Sequence, residues 1–278
     1  MKLNPSSVRL KLTMEIKEYV LQEKERIKAE VASMSEAPVL SIITVGHNPA
    51  SESYVRGKKK DSAEVGITAI QTQFEEDVTE EEVLSLIRKQ NADPSITGIL
   101  VQLPVPKHIS EKHINETIAP EKDVDGFVLG SKYICCTPKG IVDYLAADGF
   151  DFTGKNAVVL GRSDIVGKPM ARLLLSENCT VTQVHSRTSK EDMKFYIEHA
   201  DIIVIAIGKA GFLDRSYNYK PDCVIVDVGI NRIDGKLHGD AERDLPVKLQ
   251  TPVPGGVGLL TRLTLLTNLM QAYYALHK

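Results

Sequence analysis

The chain has 278 residues, 42% of them hydrophobic and 26% charged, with a formal net charge of −3. That balance describes a folded globular protein and excludes disordered and collagen-like classes. The near-neutral charge gives nucleic acid and anionic membranes no general attraction, and the length allows two domains. The opening MKLNPSSVRLK lacks an apolar leader pattern, and no apolar run approaches a bilayer span. Four cysteines (Cys135, Cys136, Cys179, Cys223) form no C-x-x-C pair, which points to reduced thiols, no metal site and a cytoplasmic protein.

In chain order, a long charged helix is predicted over 7–33 and a strand over Val39–Val45. GHNPAS is a turn cluster, with Ser51 placed to cap a helix over 52–65 that Gly66 closes. Thr68–Phe74 alternates as a strand. Thr79 caps a helix to about residue 90, acidic at its start and basic at its end. ITGILVQL over 96–103 is a buried strand stopped by Pro104 and Pro106, followed by a short helix over 110–118. APEKDVDGF is too turn-rich for an element. A helix over 137–147 bridges two domains, and 149–155 is a turn-rich boundary. Strand and helix then alternate: 157–160, 166–176, 180–184, 189–199, 201–207 and a strand at 223–228. That is the rhythm of a parallel sheet with helices on both faces. TPVPGGVG over 251–258 is a proline-glycine loop, and 259–277 is a helix whose Leu259, Leu263, Leu266, Met270 and Tyr273 form one apolar stripe.

Three places carry candidate chemistry. In KNAVVLGRSDIVGKPM, a valine-rich strand ends at Gly161 and a helix follows, the geometry that presents backbone N–H groups to a phosphate; any tight strand–helix turn shares the pattern. Tyr54 and Lys58 are four apart on one helix, so they share a face. That helix follows the carboxyl end of one strand, and Gln102 ends another, so both point to one cleft. In KDVDG, Asp123 reads as a surface turn residue, whereas Asp125 is suited to accept paired N–H donors from a heterocycle. The strand ending at Val184 is followed by His185, Ser186, Arg187 and Thr188, with no acidic residue to take a ribose 2′-hydroxyl. Hydroxyls and an arginine suit a 2′-phosphate and therefore NADP; a merely polar strand end is the alternative.

The segments VGHNPASESYVRGKKKDSAEVGI, GILVQLPVP, PEKDVDGF, CTPKGI, GRSDIVGKPMARLLL, VTQVHSRT, ADIIVIAIGK, VDVGIN and TPVPGGVG resemble, in order, the bifunctional methylenetetrahydrofolate dehydrogenase/cyclohydrolases. The resemblance implies an α/β fold of two domains: an N-terminal α/β substrate domain over 1–140, completed by a helix at 259–278, and a Rossmann-type, doubly wound parallel-sheet NADP domain over 141–258. It implies that Lys58 is the central catalytic residue, that Tyr54 packs along the folate, that Gln102 hydrogen-bonds Lys58 and that Asp125 anchors the pterin edge. Gly161, Arg162, Ser163, Ser186, Arg187 and Ile230 would contact NADP. Val101, Gln102, Leu103, Pro254, Gly255, Gly256, Val257 and Gly258 would line the folate site. The implied partners are tetrahydrofolate derivatives and a second copy in a homodimer.

The implied chemistry is hydride removal from 5,10-methylenetetrahydrofolate, then addition of water to give 10-formyltetrahydrofolate. This sequence departs from the family pattern at Cys135, where proline is usual, at Leu259–Leu260, usually Pro-Met, at GDAERD and at the extreme N-terminus. An NADP dehydrogenase of the shikimate or amino-acid type and a non-enzymatic member that only binds folate or NADP are the rival readings; the coincidence of Tyr54, Lys58, VQLP and KDVDG argues against the first, and Lys58 with Gln102 against the second.

Overall fold

A computed structural model gives the structure of residues 14–277. By their contacts the residues group into two compact units. Of the described residues, one comprises 20–140, 163–169 and 258–277; the other comprises 14–19, 141–162 and 170–257.

The first unit begins with α1 (Ile16–Ala32), β1 (Val39–Val45) and α2 (Pro49–Glu64). Residues 7–13 of the predicted first helix lie outside the described residues. α2 starts earlier than predicted, because Asn48 rather than Ser51 takes the capping role: its side-chain oxygen accepts from Ser51 N–H at 3.1 Å. Pro49 follows at the first helical position, where its missing N–H costs nothing. Ser51 lies inside the helix, and its hydroxyl donates to the Leu103 carbonyl at 3.3 Å. Next come β2 (Thr68–Phe74) and α3 (Glu80–Ala92), the latter opened by a capping box in which Thr79 and Glu82 satisfy each other's backbone N–H. β3 (Gly98–Val101), α4 (Glu111–Thr117) and α5 (Cys136–Ala147) follow; residues 16–19 of α1 and 141–147 of α5 group with the other unit.

β3 is shorter than predicted at both ends. Gln102 lies just past the strand, although its N–H still reaches the Ile43 carbonyl at 2.9 Å. The order is β2-β1-β3, all parallel. Ile43, Val45, Ile99 and Val101 project from one face onto Val83, Leu84 and Ile87 of α3 and Ile114 of α4. The three strands thus end on the same edge, and the chain leaving that edge supplies α2 and Gln102.

α8 (Val257–Leu276) completes this unit from Gly258 onward. Val257 and Gly258, predicted as loop, belong to its first turn. The expected stripe is buried at Leu263, Leu266, Met270 and Tyr273, but so are Leu260, Leu265, Leu269 and Ala272. The helix is therefore enclosed on most sides along its middle, not on one face. Asn268, fully buried, donates from Nδ2 to the Val124 carbonyl at 2.9 Å and the Ile134 carbonyl at 3.1 Å.

The second unit holds β4 (Asn156–Leu160), α6 (Gly167–Ser176), β5 (Thr180–Val184), α7 (Lys190–His199), β6 (Ile202–Ile205), β7 (Val224–Asp227), the antiparallel hairpin β8 (Asn231–Ile233) and β9 (Lys236–His238), and β10 (Leu249–Gln250). Residues 167–169, the start of α6, group with the first unit. The five-stranded sheet runs β10-β7-β6-β4-β5, all parallel. This is a doubly wound order whose direction of winding reverses between β4 and β6, where such sheets bind ligands. No helix joins β6 to β7. Leu213 and Tyr219 of that connection, flanked by Phe212 and Tyr217, pack with Ile197 and Ala200 of the α7 end against Leu160, Ile203 and Ile225. β8, β9 and β10 were not predicted, because two or three residues are too few to show alternation.

Asn268→Leu keeps the volume but removes the Nδ2 donor from the Val124 and Ile134 carbonyls, of which the first keeps the weaker Cys136 Sγ donor at 3.3 Å. The expected cost is about 1–2 kcal/mol, read from urea unfolding; an unchanged midpoint contradicts the role given to Asn268.

Candidate functional site

Lys58 sits on α2, 8% exposed, and its Nζ donates to Gln102 Oε1 at 3.1 Å. Gln102 is itself oriented, since its Nε2 donates to the Leu103 carbonyl at 2.8 Å. That leaves the amide oxygen, the only part able to accept from an ammonium, facing Lys58. Three consecutive lysines usually mark a solvated face; here Lys59 and Lys60 are exposed and Lys58 is not. Tyr54, one turn earlier, is half-buried. Burial raises its hydroxyl pKa, and the positive charge of Arg262 partly opposes the rise.

The loop after α4 supplies the carboxylates. Asp123 is 2% exposed, not the surface residue expected from the sequence. Its oxygens accept from Gly126 N–H at 3.1 Å and Val128 N–H at 2.8 Å, and burial still raises its pKa. It is a folded turn's internal acceptor. Asp125 is 9% exposed, and its carbonyl accepts from the Cys136 N–H at the start of α5 at 3.3 Å. Cys136, which the sequence offered only as a reduced thiol, is held neutral first by burial and then by the Asp125 charge, against a smaller opposite effect of Lys58. Lys58, Gln102 and Asp125 thus gather in one unit, with Cys136 among them. Val101 ends β3 buried, and Leu103 is half-buried.

In the other unit, Gly161 follows β4 at φ +117°, a conformation that L side chains rarely adopt. A Cβ there would stand 2.5 Å from the Ala206 carbonyl beyond β6, so the chain crosses the sheet's reversal point with no room for a side chain. Ser186 and Arg187 lie exposed in a turn closed by Thr188 N–H to the His185 carbonyl at 2.9 Å, with His185 N–H to Thr188 Oγ1 at 3.1 Å. Among the described residues the Arg187 guanidinium has no hydrogen bond or ion pair, so it is free to meet a phosphate. Arg162 and Ile230 are exposed.

Ser163 plays a part the sequence reading did not give it. Its Oγ accepts from the N–H groups of Val166 and Gly167, both at 3.2 Å, and so caps the helix that starts at Gly167, one residue later than predicted. A second candidate anion cradle is also taken. Three successive N–H groups after β6, on Ile207, Gly208 and Lys209, are all accepted by the Asp240 carboxylate at 2.7–2.9 Å. A nest of this kind binds anions, and here the chain's own carboxylate fills it. Pro254, Gly255 and Gly256 follow β10 on a loop whose Val253–Pro254 bond is cis, and lead into α8.

Two family descriptions match. Residues 12–125 match the tetrahydrofolate dehydrogenase/cyclohydrolase catalytic domain, and residues 135–277 match the NAD(P)-binding domain of the same family. A relative from Brevibacillus brevis, "Bifunctional protein FolD", is 46% identical across 91% of this chain and 96% of its own. The FolD methylenetetrahydrofolate dehydrogenase/cyclohydrolase of Campylobacter jejuni superposes with a TM-score of 0.88 at 39% identity, over 93% of this chain and 97% of that one. The Trypanosoma brucei enzyme, solved with NADP and an inhibitor, gives a TM-score of 0.88 at 30% identity, covering 95% and 98%.

Proposed function

The chain belongs to the tetrahydrofolate dehydrogenase/cyclohydrolase family, and we propose on that premise that it oxidises 5,10-methylenetetrahydrofolate with NADP and hydrolyses the methenyl product to 10-formyltetrahydrofolate. The observation that carries the reading is the buried contact of Lys58 with Gln102 at 3.1 Å. A desolvated ammonium with an oriented neutral acceptor is a poor element of stability and a good group for handling a proton beside a reacting water.

Around it, Tyr54 packs along the folate and Asp125 accepts N–H donors from the pterin edge, while Val101, Leu103 and the 254–258 segment shape the rest of the substrate site. Bound NADP supplies the hydride acceptor. The chain's part in hydride transfer is orientation of the methylene bridge. Gly161, Arg162, Ser163 and Ile230 form the cofactor's bed, and Ser186 with Arg187 meet the 2′-phosphate. The folate domain is taken as 1–140 with 259–278, and the NADP domain as 141–258. Arg187 supports NADP over NAD because its guanidinium is exposed and otherwise uncommitted.

We read the protein as a cytoplasmic homodimer. No helix among the described residues is long and apolar enough to cross a membrane. Sedimentation at assay concentration should show two copies, and a monomer alone contradicts the dimer.

Supplying methylenetetrahydrofolate with NADP, and separately with NAD, while following methenyl and formyl products tests the function. Both products should form, with NADP preferred. Arg187→Ala should weaken NADP more than NAD, by about 1–3 kcal/mol for a lost charge-assisted contact. Absence of either product contradicts the corresponding activity, and equal losses for the two cofactors contradict the role of Arg187.

A further inference from the structure

Tyr54, Lys58 and Asp61 recur at i, i+4 and i+7 on α2, so the two candidate site residues share a stripe with a carboxylate. Asp61 is 4% exposed. A carboxylate so buried is tolerated only when paired, and two cations from other helices meet it. Lys24 Nζ of α1 lies 2.5 Å from Oδ1, and Arg262 Nε of α8 lies 2.6 Å from Oδ2. Lys24 also reaches Glu64 at 2.7 Å, so it is supported without Arg262.

From Asp61 the Arg262 side chain reaches back over α2. A Cβ built on Gly57 would stand 2.5 Å from Arg262 Nη1 and 3.2 Å from its Cδ and Cζ. Gly57 lies between Tyr54 and Lys58 in the middle of a helix, where glycine costs about 1 kcal/mol relative to alanine. A side chain there would have to displace the guanidinium that Asp61 holds. The charge of Arg262 is also felt at the Tyr54 hydroxyl.

We propose that Arg262 is a positioning residue for the folate site: pinned by Asp61 and seated over Gly57, it fixes how α2 presents Tyr54 and Lys58. The inference rests on the function proposed above. Arg262 acts through the helix and not on the reacting atoms. Arg262 meets the carboxylate through Nε, as an ion pair without an aligned hydrogen bond, while Nη1 lies over a backbone stripped of side chain.

The test is a double-mutant cycle of Gly57→Ala and Arg262→Ala, with Arg262→Lys as the conservative variant, reading kcat, both KM values and Tm. Arg262→Ala should lower kcat/KM for methylenetetrahydrofolate about 10- to 100-fold, the scale of a small misplacement, while KM for NADP stays put. Arg262→Lys, which keeps the charge beside Asp61, should recover part of the loss. Gly57→Ala should be harmful in the wild-type background and cost nothing further once Arg262 is alanine, because the methyl then occupies vacated space.

Equal losses from Gly57→Ala in both backgrounds overturn the inference. So does a fall in Tm with folate kinetics unmoved, which would mark a strut and no more. If Arg262→Ala does not fold, Arg262→Lys carries the same comparison with Gly57→Ala. A wild-type protein that does not turn over methylenetetrahydrofolate overturns the function and this inference together, whereas normal wild-type turnover with additive losses overturns the inference alone.

Discussion

The feature on which the first unit depends is the burial of one ammonium group. Lys58 leaves water for a site where its Nζ donates to a neutral acceptor, Gln102 Oε1 at 3.1 Å. Taking a charge out of water is costly, and an amide is a modest partner for it. The surrounding framework must therefore hold Lys58 in place. α2 is anchored by the Asn48–Pro49 start and by the Asp61 pairs, and Gln102 is fixed by the edge of β3 and its own bond to Leu103. Parallel strands place both at one edge, which is why a lysine on a helix and a glutamine more than forty residues later meet.

The sheet unit built on β4 solves a different problem. It must leave backbone open to an anionic cofactor without leaving polar groups unpaired. It does so selectively: Asp240 closes the turn after β6 and Ser163 caps the helix after β4. The Ser186–Arg187 turn is closed by bonds between His185 and Thr188 and leaves its arginine side chain exposed. Burial holds Asp227, beside Asp240, up at about 6, against the N–H groups of Gly229, Asp240 and Ala241 that it accepts. The two carboxylates thus order the loops beyond β6 and β7.

Several strands were legible: β1 from its apolar run, β2 from its alternation, and β5 all fall where the sequence put them. So was the Tyr54–Lys58 spacing, because helical periodicity converts sequence distance directly into a shared face. What was hidden depends on contacts between distant segments. Asp123 looked like a turn residue and is one, but its burial is set by packing no local pattern reveals. Asn268 is a polar break in an apolar helix, and only the fold shows that it ties down the carbonyls of Val124 and Ile134. Gly57, inside a predicted helix, was a local signal that something approaches closely; its partner, Arg262, lies on another helix. α8 read as one stripe because alternating threes and fours stood out, while its other apolar residues are buried just as deeply.

The central claim is that Lys58 handles protons during water addition, while hydride transfer needs mainly alignment. The direct measurement is the ratio of cyclohydrolase to dehydrogenase rate in Lys58→Met, with NADP affinity as the control for folding. A positioned proton-transfer group is worth about 10²–10⁴-fold. The account predicts a cyclohydrolase loss of that order, a smaller dehydrogenase loss, intact NADP binding, and methenyltetrahydrofolate accumulating beyond what buffer hydrolysis removes. Cyclohydrolase turnover near the wild-type rate would contradict it, and would reduce Lys58 to one more lysine among three.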